Sequence, residues 1–386
     1  MSMQRRLRLG MVGGGQGAFI GAVHRIAARL DDQYELVAGA LSSDPERALA
    51  SATELRITPD RAYADFTEMA RRESARPDRI DVVAIVTPNH VHHAAACAYL
   101  DAGIHVICDK PLTTTLDQAR DLVRRVETGR ALFALTHNYT GYPMVRQAKD
   151  MVSAGELGPI RVVQVEYPQG WLATFLEGTG QKQAAWRTDP ARSGPGGCLG
   201  DIGTHGLNLA EFVTGLNCAS VAADLSTFVP GRNLDDNIHI LLRFPGAARG
   251  MLWASQVAIG HENGLRLRVY GEKAGLEWVQ EFPNQLRFTP LGEAPRIVTR
   301  GGSTAGAAAA HATRIPAGHP EGYLEAFAQL YRDFAEQIRA QAEKRDPDPA
   351  SCLVPGVRDG LRGVAFIAAA VASAKRDSAW VPIDQS

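Results

Sequence analysis

The pattern of apolar and polar positions changes near residue 158. Before it, compact apolar runs at 7–12, 34–41, 81–87, 103–108 and 131–135 alternate with stretches of helical spacing at 20–30, from 44 onward, up to 100, and at 116–127. Short apolar runs of this kind read as strands buried on both faces. Strands alternating with helices predict right-handed crossovers and a parallel sheet. Asp44 followed by Pro45 marks the start of the second helix, with the carboxylate as N-cap and the proline at the first helical position. After residue 158 the runs 160–167, 221–228, 237–244, 251–257, 265–271 and 276–279 succeed one another mostly without helices. Several alternate, which predicts a largely antiparallel sheet with one covered face. Residues 301–320, rich in Gly, Ala, Ser and Thr, read as a long loop, and 323–342 and 357–374 as amphipathic helices.

At 386 residues the chain is expected to form two domains, 1–136 and 137–386. A net charge of −1 provides no global field for nucleic acid or an anionic membrane. Five cysteines, with no CxxC, argue against a disulfide framework and a structural zinc site, and favour a reducing compartment, the cytoplasm. No signal peptide and no apolar run of about 18 residues is visible, so no membrane span is expected.

Residues 12–18 (Val-Gly-Gly-Gly-Gln-Gly-Ala) fit GxGxxA, with Gly13, Gly15 and Ala18 at the three positions and Gln16 and Gly17 between the last two. The first glycine permits a tight turn, the second lets the backbone approach a pyrophosphate, and the third small residue lets helix and strand pack closely. The phosphates would rest on the free N–H groups of the helix N-terminus. A strand before and a helix after make this a dinucleotide-binding start. The second strand ends in Ser42-Ser43-Asp44, with Arg47 one turn on. A carboxylate at the strand tip would bond the ribose of NAD and repel a 2′-phosphate, whereas serine and arginine can bind one. The sequence therefore leans to NADP(H) over NAD(H). On the alternative reading, Asp44 is only a cap and Arg47 only surface.

Thr87-Pro88-Asn89 closes the strand 81–87 at the carboxyl edge of the sheet, where ligands bind. Asn89 suits either a nicotinamide ribose or the cap of the next helix. His90, His92 and His93 follow without HExxH or paired cysteines, so no metal is expected. Residues 105–111 read His-Val-Ile-Cys-Asp-Lys-Pro. Lys110 thus leaves a buried strand at the sheet edge, where an ammonium could stabilise a developing alkoxide. Residues 196–205 read Gly-Gly-Cys-Leu-Gly-Asp-Ile-Gly-Thr-His. If they open a helix, Asp201 and His205 are i and i+4 and share a face. An imidazole suits proton exchange near neutral pH, and the glycine approach allows close contact with a ligand. Trp186 and Arg187 suit a sugar ring and an anion, or plain packing.

These motifs together resemble the glucose–fructose oxidoreductase/inositol dehydrogenase (Gfo/Idh/MocA) family. The resemblance spans the glycine turn, Thr87-Pro88-Asn89 with His92, residues 103–111, Asn138-Tyr139, residues 155–160 and the Asp201/His205 segment. It implies an α/β fold, with an N-terminal Rossmann domain and a C-terminal α+β domain on a large, open, mostly antiparallel sheet. That sheet would assemble homodimers or homotetramers. It also implies hydride transfer between nicotinamide and a secondary hydroxyl or ketone of a sugar, inositol or related polyol. Lys110 would be catalytic, His205 the acid/base and Asp201 its companion, and Thr87, Pro88, Asn89, His92, Asp109 and Lys110 would lie at the coenzyme. Asn138, Tyr139, Trp186 and Arg187 would line the substrate. Asp109 replaces the usual glutamate, Thr140-Gly141 follow Tyr139 where many members carry arginine, and Asn208 replaces a frequent aspartate. The rival readings are a glycosidase that uses NAD cyclically and a non-catalytic dinucleotide-binding regulator.

Overall fold

The computed structural model describes residues 5–384. The chain divides into two compact units. One comprises residues up to Thr113, Asp117–Asn138 and Tyr323–Gly360; the other comprises Thr114–Leu116, Tyr139–Gly322 and Leu361 onward.

In the first unit β1 (Leu7–Gly13), β2 (Tyr34–Ala40), β3 (Val82–Val86), β4 (His105–Cys108) and β5 (Phe133–Leu135) form one sheet, parallel throughout. Its order is β2-β1-β3-β4-β5. All five residues of β3 are buried, as a strand covered on both faces requires. The helices α1 (Phe19–Leu30), α2 (Pro45–Glu54), α3 (Phe66–Ser74), α4 (Asn89–Asp101) and α5 (Leu116–Thr128) connect the strands. Helix α3 escapes the sequence reading because its buried side is short: Met69, Ala70 and the charged Glu73.

The second unit carries α6 (Pro143–Ser153), β6 (Ile160–Pro168), α7 (Lys182–Arg187), α8 (Pro190–Ser193) and α9 (Thr204–Thr214). It continues with β7 (Ser220–Ser226), β8 (Asn237–Arg243), β9 (Arg249–Ser255), β10 (Arg266–Gly271), β11 (Ala274–Val279), β12 (Gln285–Pro290), β13 (Arg296–Thr299) and α10 (Ala307–Ala312). Helices α11 (Tyr323–Glu343) and α12 (Val357–Ala374) and strand β14 (Val381–Pro382) complete the chain. The sheet has nine strands in the order β13-β12-β11-β10-β6-β9-β8-β7-β14. Among the described residues of this sheet only β6 and β9 pair parallel. Ile238, Ile240 and Leu242 of β8 face inward, while His239, Leu241 and Arg243 face out.

Two differences from the sequence reading have physical causes. The expected long loop at 301–320 contains α10, whose first turn is capped from α6: Gly306 N donates to Gln147 Oε1 at 2.6 Å and Ala308 N to Asp150 Oδ2 at 3.3 Å. A side-chain cap from about 160 residues away leaves no local signal. A division at 136/137 would assign everything after it to the second domain, yet Tyr323–Gly360 groups with the first unit. Helix α11 places Phe327, Tyr331, Phe334 and Ile338 in the same apolar core as Val23 and Ala27 of α1 and Leu9 and Met11 of β1. Their spacing makes one stripe on the helix.

Candidate active site

The strand order reverses between β1 and β3, where Gly13 pairs with Val86. Ligands bind at such switch points, outside the carboxyl ends of the strands. Gly13 and Gly14 hold φ of +79° and +72°, backbone that favours glycine. A Cβ on Gly15 would lie 2.7 Å from both the Leu41 carbonyl oxygen and Ser51 Oγ. Gln16 N donates to Ser51 Oγ at 3.1 Å, and Gly17 turns with φ +75° into open space. Ala18 does not make the close helix–strand contact expected of the third motif position. It is the extended N-cap of α1, and the contact passes to Gly21, where a Cβ would meet Gly14 Cα at 2.4 Å. The helix starts at Phe19, so the turn is longer than GxGxxA spacing assumes. The result is a backbone-lined cradle of the kind a pyrophosphate fits.

At the tip of β2, Asp44 Oδ1 accepts from Arg47 N at 2.8 Å, and Asp44 N donates to Ser42 Oγ at 3.1 Å. The carboxylate is the N-cap of α2. Ser43 and Arg47 are exposed.

Across the switch, Thr87 Oγ1 is buried without a hydrogen-bond partner. Pro88 is the N-cap of α4, and Asn89 is its first residue. His92, expected at the coenzyme, is fully buried. Its Nε2 lies 2.9 Å from the Thr87 carbonyl oxygen and its Nδ1 2.9 Å from that of Pro111. Burial pushes its pKa down, and a neutral ring can donate to only one of the two carbonyls. His92 therefore lies between the Thr87 and Pro111 segments. Asp109 and Lys110 follow β4 directly. Asp109 N donates to the Ile85 carbonyl at 3.0 Å, which keeps this exit on the sheet ladder.

His137, which the sequence reading passes over, is buried near Lys110. Burial first, and then the Lys110 charge, push its pKa down to about 3. Asn138 Nδ2 is buried and has no hydrogen-bond partner.

In the second unit, Asp201 lies not in an ordinary α-helix but in a π-helical turn (Leu199–Gly203) that runs into α9. Such turns are frequent at functional sites. Asp235 holds its approach, accepting from Gly197 N at 2.8 Å and Leu199 N at 2.7 Å. Burial raises the Asp235 carboxyl to about 6. Asp201 accepts from Gln256 Nε2 at 2.9 Å and faces Arg187 Nε at 3.3 Å. The Arg187 guanidinium lies over the Trp186 ring, 4.3 Å from its centroid. The His205 ring meets Tyr139 edge-on with centroids 4.9 Å apart. Tyr139 bonds Tyr167 through their hydroxyls, and Tyr167 donates to Asn263 Oδ1 at 2.8 Å. Burial pushes the Tyr139 hydroxyl pKa up, moderated by Tyr167 and Asn263. The second unit thus brings together five of the expected residues: Tyr139, Trp186, Arg187, Asp201 and His205. Gln256, Asn263 and Asp235 carry no local sequence signal.

The model for the oxidoreductase family with an NAD-binding Rossmann fold matches residues 7–139, and the GFO/IDH/MocA C-terminal domain model matches 145–277. An uncharacterized oxidoreductase of Bacillus subtilis, YfiI, is 34% identical over 385 residues, 98% of this chain and 97% of that one. The chain belongs to the Gfo/Idh/MocA family. Among similar solved structures, an oxidoreductase from Sinorhizobium meliloti is 55% identical with a TM-score of 0.89, covering 98% of this chain and 100% of that one. An inositol dehydrogenase homolog from Azotobacter vinelandii, complexed with NAD+, is 36% identical with a TM-score of 0.93, covering 98% and 97%. An inositol dehydrogenase homolog from the same organism, complexed with NADH and myo-inositol, is 35% identical with a TM-score of 0.89, covering 98% of each chain. This Gfo/Idh/MocA chain is thus an oxidoreductase with an NAD-binding fold.

Elsewhere in the family member's first unit, His93, Cys97 and Asp121 bring ligand-type atoms within 4.8 Å of one another. Asp121 also takes hydrogen bonds from Arg124 at 2.8 Å and Arg125 at 2.9 Å. Burial pushes the Cys97 thiol up to about 11. The group reads as an ion-pair cluster. Among the described residues no helix is long and apolar enough to cross a membrane.

Proposed function

We propose that the protein is a nicotinamide-dependent dehydrogenase acting on a secondary hydroxyl of a sugar, inositol or related polyol, or on the matching ketone in reverse. The observation that carries this reading is Lys110, placed at the carboxyl edge of the parallel sheet one strand beyond the switch point. The bound nicotinamide supplies the hydride acceptor or donor. The Lys110 ammonium donates to the reacting oxygen and stabilises negative charge as it develops. His205 takes the hydroxyl proton during oxidation and returns it during reduction. Asp201 and Arg187 hydrogen-bond neighbouring hydroxyls, and Asn138, Tyr139 and Trp186 shape the substrate pocket. Gly13, Gly15, Gln16 and Gly17 take the pyrophosphate, and Thr87, Pro88 and Asn89 flank the nicotinamide ribose. The inositol dehydrogenase homolog supports the substrate class.

Ser42, Ser43 and Arg47 favour a 2′-phosphate; among similar proteins, the inositol dehydrogenase homolog is named with NAD+ and with NADH, and a D-xylose 1-dehydrogenase with NADP+. We expect both coenzymes to serve, with NADP(H) preferred. The outward sheet face exposes Val162, Leu241, Tyr270 and Ile297 by 37–54%, supporting a homodimer or homotetramer formed through it. A monomer by sedimentation at micromolar concentration would refute that assembly.

The test is a panel of inositols and sugars with NAD+ or NADP+, read at 340 nm. Turnover of at least one polyol is expected, and Lys110→Ala should lower kcat by about 10²-fold or more while coenzyme binding survives. No absorbance change across the panel overturns the dehydrogenase reading, and an unchanged kcat overturns the role of Lys110. A kcat/KM ratio favouring NAD+ overturns the coenzyme preference.

A further inference from the structure

We propose that His24 is a positioning residue for the lysine: a buried chain, Tyr331–His24–Asp109, fixes the residue before Lys110 and so holds the ammonium in place. The inference rests on the reading of Lys110 as the oxyanion donor.

Lys110 stands between two residues that are each held by a buried histidine. On one side, His92 Nδ1 lies 2.9 Å from the Pro111 carbonyl oxygen. On the other, Asp109 Oδ1 receives His24 Nε2 at 3.0 Å and the Thr136 hydroxyl at 2.6 Å. His24 sits on α1 with 0% exposure. Its Nδ1 lies 2.8 Å from the Tyr331 hydroxyl of α11. Phe327 flanks its ring at 5.1 Å. Tyr331 is fixed in turn: Tyr34 packs edge-on at 5.2 Å and donates its hydroxyl to the Tyr331 carbonyl at 2.8 Å.

Burial pushes the Asp109 carboxyl up, but His24 and Thr136 outweigh it and hold the group below its ordinary range. An ionised carboxylate only accepts, so His24 donates from Nε2. Its Nδ1 bonds the Tyr331 hydroxyl.

A joint between α1 and α11 does not need such a chain. The surrounding core is apolar, with Val23, Ala27, Phe334 and Ile338, and polar groups buried there are costly unless fully bonded. What the chain adds is control of one carboxylate, one residue from Lys110, from two directions: α1, itself held by α11, and the residue that follows β5. A reacting group displaced by about 1 Å can lose about 10²-fold in rate.

The experiment compares His24→Leu, His24→Gln, Thr136→Val and Lys110→Ala. His24→Leu should lower kcat by about 10- to 100-fold while the coenzyme KM stays within about twofold. His24→Gln, whose amide can donate from about the position of Nε2, should recover to within about fivefold of the parent. If His24→Leu does not fold, Thr136→Val, which removes the other donor to the same oxygen, should lower kcat by about tenfold at unchanged KM. A folded His24→Leu with parental kcat overturns the proposal, as does equal impairment of the Leu and Gln variants. So does a silent Thr136→Val where the leucine variant is lost. If these variants are silent while Lys110→Ala is crippled, only the brace fails. If Lys110→Ala is itself active, the reading of the lysine fails and the brace with it.

Discussion

Asp109 and Asp201 stand beside the two groups assigned to chemistry, and their surroundings differ in kind. Side-chain exposure does not separate them, at 16% and 20%. Their partners do. Asp109 is held by a buried imidazole and a buried hydroxyl, both interior groups with nowhere else to go. Asp201 faces the Arg187 guanidinium, itself 25% exposed, and the amide of Gln256. A partly exposed arginine–carboxylate contact is worth little net free energy, so a polyol hydroxyl can replace it at small cost. One carboxylate is a strut and the other is a hand. On the proposed roles of Lys110 and His205, Asp109 would act on the rate of the chemical step and Asp201 on substrate affinity.

Neutralising each in turn is the strongest way to break that contrast. Asp109→Asn keeps an acceptor of similar shape but removes the charge that His24 and Thr136 are arranged to bond. We expect kcat to fall by about 10²-fold, with substrate KM within about threefold. Asp201→Asn should raise substrate KM by about tenfold, the scale of a lost charge-assisted hydrogen bond, with a smaller change in kcat. If Asp201→Asn strikes kcat alone, the carboxylate acts through His205 on proton transfer and the two aspartates are alike.

What could be read from the sequence follows the same division between local and distant causes. The apolar run of β3, the glycine turn with its positive φ values, the Asp44-Pro45 cap and the lysine at the sheet edge are short-range features, and the structure has each where periodicity and turn chemistry put it. Gly21 escaped because the extra residues of the turn hide its role until Gly14 is seen beneath it. Asp235, Gln256 and His24 escaped because their partners lie 36, 55 and 85 residues away. The return of α11 to the first unit escaped for a related reason. Its apolar stripe shows that it packs, and no local pattern says against what.

A smaller effect sharpens the comparison by acidification, because the two regions respond with opposite sign. His137, beside Lys110, has a folded pKa of about 3 against an ordinary value near 6.5. Between those limits the unfolded chain takes up a proton that the folded one refuses, so lowering pH favours unfolding, by about 1.4 kcal/mol per unit. His105, whose Nδ1 accepts from Leu132 N at 2.9 Å, is pushed by burial to about 4 and acts in the same direction. Asp235, beneath the Asp201 turn, is raised to about 6 against an ordinary value near 3.9. Between these limits the folded carboxyl takes up the proton first, so lowering pH favours the folded state. Protection factors from hydrogen exchange between pH 6.5 and 4.5 should therefore fall at Leu135 and Thr136 while those at Cys198 and Asp201 hold or rise. His137→Gln should flatten the first trend, and Asp235→Asn should abolish the second. A parallel loss in both regions would show that acid acts on the molecule as a whole, and the contrast between the two sites would then rest on kinetics alone.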